Sequence, residues 1–302
     1  MPACIMASRD RKSGPKLRTF LAETAANRAS DWTVAAAAHI DSESVKRLSG
    51  LESYLQARQW AGTHTATSVI VVVDTLNAAF EIDEILYELR EFPVAIELSP
   101  LGYLFSFVKT FSDYPEYILP DRADMTMSTH CLRSYVRHVL DTAHRRQVDV
   151  IDEDDFDIEK PFAGDDYIEA ADLLQVPRGR ITEDGVRDNL RIVLRHVAAV
   201  LAGNVSHDAG SAGSDATLAE LARAQLWQWV HHETGVLDEG RIITVELFDQ
   251  WLGEEFEELA SSVAEDERES EALKQAAELL RDLTHAEAIA PYLLDEAYRH
   301  RE

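Results

Sequence analysis

The sequence predicts an α/β protein in which strands alternate with helices in the first half, while the second half is helical. A β-branched run at 68–73 (SVIVVV) indicates a buried strand, and the helical pattern AAFEIDEILYELREF follows it. The short strand pattern VAIELS then comes before another helix, YLFSFVKTF, and VDVI at 148–151 adds one more possible short strand. This alternation is typical of a parallel sheet with crossover helices.

Changes in composition divide the chain into four parts. We expect an N-terminal helical segment over residues 1–65, a strand–helix region over 66–151, an acidic linker over 152–165 and an α-helical domain over 166–302. The linker DEDDFDIEKPFAGDD combines acidic residues with Pro and Gly, as solvated connectors do. It lacks the ligand spacing of an EF-hand, so a calcium loop is the weaker interpretation.

Charge and composition exclude several classes of partner. The chain has 55 acidic and 29 basic residues and a net charge of −26, which disfavours nucleic acids and anionic membranes. No apolar run approaches the roughly 20 residues that span a bilayer, and no leader pattern is evident, so we expect a cytoplasmic protein. Only six of the basic residues are lysines, which fits either a halophilic protein or a genome rich in G and C.

Several motifs in fixed order carry a resemblance to one family. They include VVVDTLNAAFEIDEILYELR, YLFSFVKTFSDYPEYILPDRADMTM, AADLLQVPRGRITEDGVRDNLRI and DATLAELARAQLWQWVHHETGVLDEGRIITVELF. Together they resemble the malate synthase family over about three-quarters of the chain. The resemblance implies a partial TIM barrel followed by an all-α C-terminal domain. Because the opening and closing barrel strands are not recognisable, we expect fewer than eight parallel strands, with 69–73 and 94–98 adjacent.

The resemblance also implies a reaction and a set of site residues. The family condenses acetyl-CoA with glyoxylate to malate in the glyoxylate bypass, using Mg²⁺. Asp215 falls at the position of the catalytic base and Asp74 at that of a metal-binding glutamate. From residue type alone, Asp215 could instead cap the helix that follows it, and Asp74 could be an ordinary acid at a strand end. No residue is assigned to acetyl-CoA.

Three departures from the family pattern bear on activity. Gly102 stands where the second metal ligand is expected, and glycine has no side chain to coordinate an ion. Between Arg146 and Ala170 the acidic linker replaces a family segment with a Gly-Gly-Met-Ala-Ala strand and a His-Pro-Gly loop. The catalytic arginine has no recognisable equivalent. The sequence therefore leaves two functions open: a malate synthase, or an inactive paralogue that acts as a binding or regulatory subunit, with homo- or hetero-oligomers possible in either case.

We expect the melting temperature to rise steadily from dilute buffer to molar sodium or potassium chloride. With a net charge of −26, self-repulsion is strongest where the Debye length is long, and that length falls to about 3 Å at 1 M salt. Thermal unfolding measured over this range checks the halophilic interpretation. A flat or falling melting temperature would leave genome composition as the explanation of the lysine shortage.

Overall fold

A computed structural model describes residues 4–6, 34–37, 69–90, 94–151, 168–204, 211–263, 266–293 and 296. Its strands are β1 (Cys4–Met6), β2 (Val34–Ala37), β3 (Val69–Val73), β4 (Val94–Leu98) and β5 (Asp149–Ile151). Its helices are α1 (Leu76–Phe80), α2 (Ile82–Glu88), α3 (Pro100–Thr110), α4 (His130–Arg146), α5 (Ala170–Leu173), α6 (Glu183–Ala202), α7 (Ser211–His231), α8 (Val245–Val263) and α9 (Glu267–His285). Short 3₁₀ turns lie at Pro115–Tyr117 and Arg122–Asp124.

The described strands form one sheet in the order β1-β2-β3-β4-β5. β2 to β5 run parallel, and β1 pairs antiparallel with β2. Strands β3 and β4 are adjacent, as predicted, with Val69 opposite Val94 and Val73 opposite Leu98. The register brings the carboxyl ends of both strands to the same edge. The short strand β5 was also anticipated from the sequence, whereas β1 and β2 were not.

The chain divides into two compact units. Unit 1 comprises residues 1–103 and 130–175, and unit 2 comprises 104–129 and 176–302, so the division passes through α3. The predicted acidic linker over 152–165 lies outside the described residues, as do the helical patterns expected within 1–65. No helix in the described ranges is both long enough and apolar enough to cross a membrane.

Tyr135 of α4 fixes the carboxyl edge of the sheet in unit 1. Its hydroxyl donates to the carbonyl of Val73 at the end of β3 and accepts from the amide of Ser99, just after β4, at 3.1 Å. The ring of Tyr103 stacks on Tyr135 with centroids 4.4 Å apart, and its hydroxyl donates to the carbonyl of Leu173 at 2.5 Å. Two buried tyrosines therefore hold helices α3 and α4 against the ends of the strands.

Unit 2 is a helical domain built on α6 to α9, as predicted for the second half of the chain. α6 begins with a side-chain cap: the Thr182 side chain accepts from the amide of Gly185, with Glu183 and Asp184 in the first turn. α6 ends at Gly203, whose φ of 72° is the left-handed conformation that glycine adopts without strain. The four helices bury one apolar core, which includes Leu190, Leu194, Trp229, Phe248, Trp251, Leu273 and Leu280.

Buried polar side chains of α7 hold the irregular segment around residues 117–120 in unit 2. Gln228 donates to the carbonyl of Tyr117 at 3.0 Å and accepts from the amide of Leu119 at 3.0 Å. The indole nitrogen of Trp229 donates to the carbonyl of Leu119 at 2.7 Å. A buried backbone group without a hydrogen-bond partner is unfavourable, and this segment belongs to no β-ladder. The side chains of α7 therefore supply the hydrogen bonds that its backbone needs.

Replacing Gln228 with Met removes the side-chain hydrogen bonds to two backbone groups, the carbonyl of Tyr117 and the amide of Leu119. We expect a loss of about 2–4 kcal/mol in the free energy of unfolding, because two backbone groups are left unpaired. Gln250→Met is the matched control, since Gln250 is exposed on α8 and bonds only the side chain of Glu254 among the described residues. Urea unfolding followed by tryptophan fluorescence measures both variants. Equal effects would show that the Gln228 contacts contribute little.

Candidate functional site

Asp74 lies at the carboxyl end of β3, in the place where the sequence predicts a metal ligand. The next residue, Thr75, caps α1 by accepting from the amide of Ala78 at 3.0 Å. Burial, and then the negative charges of Asp74 and Glu97, raise the pKa of Tyr135 above its ordinary value. Tyr135 therefore remains a neutral hydrogen-bond donor beside the Asp74 carboxylate.

Gly102, near the start of α3, lies directly against Asp74. A Cβ atom at position 102 would come within 2.7 Å of the Asp74 Cβ and 2.7 Å of the Ser99 Oγ. It would also lie 3.1 Å from the carbonyl oxygen of Asp74. Glycine is therefore needed for the helix to approach the strand end this closely. The volume that a ligand side chain would need is filled by Asp74 and Ser99.

These residues do not fit a dedicated magnesium site. Mg²⁺ requires near-octahedral oxygen ligands and is usually bound through one or two carboxylates together with substrate oxygens. Among the described residues, the edge beside Gly102 offers the carboxylate of Asp74 and the hydroxyl of Ser99. Within the described ranges, no group of three or more His, Cys, Asp or Glu side chains could hold a metal ion. Gly102 cannot add a ligand without displacing Asp74.

Asp215, the predicted base position, lies inside a helix in unit 2. The sequence placed Asp215 just before a helix, where it could act as the N-cap, but α7 begins at Ser211, so both placements are wrong. The role of Asp215 as the base stays a prediction. The misleading signal was the run Ser-Ala-Gly-Ser: a glycine lowers helix stability by only about 1 kcal/mol, which packing can offset. The Asp215 side chain is exposed.

His196 of α6 is a neighbour of Asp215 that sequence reasoning missed. Burial lowers the pKa of His196, and the negative charge of Asp215 acts in the opposite direction. The Nε2 atom of His196 is buried and makes no hydrogen bond to any residue that the structure describes. The two residues lie on different helices and far apart in the chain, so no local spacing could have revealed the pair. Asp74 belongs to unit 1 and Asp215 to unit 2.

The adjacent histidines at the end of α7 are structural, as predicted. The Nδ1 atom of His231 lies 3.0 Å from the carbonyl of Trp227, and the two rings stack at 4.2 Å. The Nε2 atom of His232 lies 2.7 Å from the carbonyl of Ser112. Each histidine ring is thus engaged by a different backbone carbonyl.

Comparison with known proteins gives a consistent result. Two family models match the chain: the malate synthase TIM barrel domain over residues 53–153 and the malate synthase C-terminal domain over residues 180–300. The malate synthase of Myxococcus xanthus (strain DK1622) is 31% identical, over 82% of this chain and 58% of that protein. Malate synthase A of Escherichia coli (strain K12) is 28% identical, over 79% and 54%. The malate synthase of Arabidopsis thaliana is 28% identical, over 76% and 52%.

The chain spans just over half the length of the curated relatives it matches. The alignment with the Myxococcus xanthus protein covers 317 positions, which exceeds the 302 residues of this chain. Some residues of that relative must therefore face internal gaps here. The predicted replacement of a family segment between Arg146 and Ala170 would produce such a gap, and its position stays a prediction.

We expect Gly102→Ala to destabilise unit 1 by about 1–3 kcal/mol, because the added methyl group overlaps Asp74 and Ser99. Gly253→Ala provides the matched control: it is also a helical glycine, and a Cβ there meets nothing within 4 Å. That control should gain about 0.5–1 kcal/mol from better helix propensity. Thermal unfolding of the two variants gives opposite shifts if the close approach is real. A stabilised Gly102→Ala protein would contradict it.

Proposed function

The chain belongs to the malate synthase family, and on that premise we propose that it is a malate synthase-like protein with an incomplete metal site. Its proposed substrates are acetyl-CoA, glyoxylate and water, and its proposed products are malate and CoA. The proposed architecture is a partial TIM barrel followed by the α-helical domain. The cytoplasm is the proposed compartment, since the acidic, lysine-poor chain fits an aqueous environment.

In this proposal Asp215 is the general base. A carboxylate at this position would remove a proton from the acetyl methyl group of acetyl-CoA, and the resulting enolate carbon would attack the aldehyde carbon of glyoxylate. The motif register of the family supports this role, and the exposed position of Asp215 on α7 leaves its oxygens accessible to a substrate. Its neighbour His196 is the ionisable group on which the Asp215 charge acts.

The contact between Gly102 and Asp74 supports the second part of the proposal, that the metal site is incomplete. The family implies a pair of carboxylates at the ends of adjacent strands. Here one of the two positions is a glycine, and a Cβ atom added to it would come within 2.7 Å of the Asp74 Cβ. With one carboxylate left, affinity for Mg²⁺ falls and the aldehyde is not polarised. We therefore expect the isolated chain to turn over very slowly.

An inactive paralogue that binds a partner is the second candidate function, and the same Gly102 contact favours it. The two candidates differ in whether another subunit can supply the missing ligands. If it can, malate formation per chain should increase with protein concentration as oligomers form. If the chain is an inactive binding or regulatory subunit, concentration should have no effect.

We expect negligible malate formation when the purified chain is supplied with acetyl-CoA, glyoxylate and Mg²⁺ in molar potassium chloride. The rates of thiol release and of malate formation should both be lower than the typical turnover of enzymes, 1–10³ s⁻¹, by more than about 100-fold. Any residual rate should disappear in Asp215→Asn and persist in Asp188→Asn, which changes the charge equally on α6. Turnover within the typical range would overturn the incomplete-site proposal, and loss of rate in both variants would overturn the role of Asp215.

A further inference from the structure

One face of α7 carries a buried ion pair that no catalytic role explains. Arg223 is 1% exposed and Glu220 is 7% exposed, and the Nη2 atom of Arg223 donates to the Oε2 atom of Glu220 at 3.0 Å. The other oxygen of Glu220 accepts from the amide of Leu293 at 2.6 Å. Nη2 of Arg223 also donates to the carbonyl of Ala290 at 3.0 Å. Both oxygens of the carboxylate are thus engaged.

Lys109 adds a second cation to this cluster. Its ammonium lies 4.1 Å from the ring centroid of Tyr292 and 5.2 Å from that of Phe105. Burial lowers the pKa of Lys109 most strongly; Glu220 raises it and the nearby positive charge of Arg223 lowers it. Within the described part of the chain, Lys109 forms no ion pair. Two cations therefore share one carboxylate, although the chain as a whole carries a net charge of −26.

Arg223 also has a donor that no described residue uses. Its Nη1 atom is buried and makes no hydrogen bond within the described part of the chain. The centroid of the Phe105 ring lies 6.0 Å from the Arg223 Cζ, near the outer limit for a cation–π contact, so the ring compensates weakly. A buried donor with no partner in a native fold usually indicates an ion or water that completes it. Here an excess positive charge lies next to that donor.

We propose that a small singly charged anion binds between the ammonium of Lys109 and the Nη1 atom of Arg223. Chloride, or the carboxylate of a small molecule, has the required chemistry. It would accept charge-assisted hydrogen bonds from both cations and relieve their mutual repulsion. Lys109 is partly exposed and forms the open side of the site, while the enclosure of Arg223 favours a small ligand.

The test measures the melting temperature at fixed ionic strength while sodium gluconate is replaced by sodium chloride. A ligand that binds the folded state raises the melting temperature with its concentration, and gluconate is too large for the site. We expect the wild-type chain and Lys274→Met to gain stability with chloride, and Lys109→Met to lose that gain. Lys274 is an exposed lysine on α9, so it controls for the loss of one positive charge. Equal responses of all three proteins to chloride, and equal responses to acetate, would overturn the proposal.

Line broadening in ³⁵Cl NMR provides a second readout, one that does not depend on unfolding. The site is supported if the wild-type chain and Lys274→Met both broaden the ³⁵Cl line and Lys109→Met does not. If the wild-type chain neither broadens the line nor gains stability in acetate, the proposal is overturned. Replacing chloride with sodium acetate separates the two sources. Stabilisation by acetate assigns a carboxylate ligand, and stabilisation by chloride alone assigns the free ion. The site is independent of malate formation, so its failure would leave the proposed function unaffected.

Discussion

Side chains of helix α7 supply hydrogen-bond partners to the backbone of two irregular segments. The fold of unit 2 depends on these hydrogen bonds. Gln225, Gln228 and Trp229 donate to carbonyls of residues 117–120, and the face with Glu220, Arg223 and Trp227 bonds the backbone of residues 286–293. Neither segment has a ladder of its own, so each would bury unpaired groups without these side chains. The requirement explains why a core helix carries so many buried polar residues.

In unit 1 the comparable constraint is the close approach of α3 to the end of β3. Tyr135 bonds the backbone at the ends of β3 and β4, and Gly102 allows α3 to lie against Asp74. An atom added at position 102 would occupy the space of Asp74 and Ser99. In the proposed function, close packing and metal binding would therefore make opposite demands on this residue, because the glycine that permits the packing offers no coordinating side chain.

Sequence patterns predicted the elements whose signals are local. The β-branched run identified β3, and the short pattern VAIELS identified β4. The start of α7 was misplaced because Ser and Gly indicate loops by composition, whereas packing determines whether they join a helix. The effect of the Asp215 charge on His196 and the contact of Gly102 with Asp74 involve residues on different elements of the fold. Such contacts depend on tertiary geometry, which local periodicity does not contain.

The central claim is that Asp74 alone does not hold a divalent ion. Mn²⁺ prefers the same oxygen ligands as Mg²⁺ and is paramagnetic, so its electron paramagnetic resonance signal reports binding directly. The measurement is a titration of Mn²⁺ into the wild-type chain and into Asp74→Asn, at molar salt to suppress general attraction to the acidic surface. We predict that the two proteins bind Mn²⁺ equally weakly. Tight binding at a single site that Asp74→Asn removes would contradict the claim.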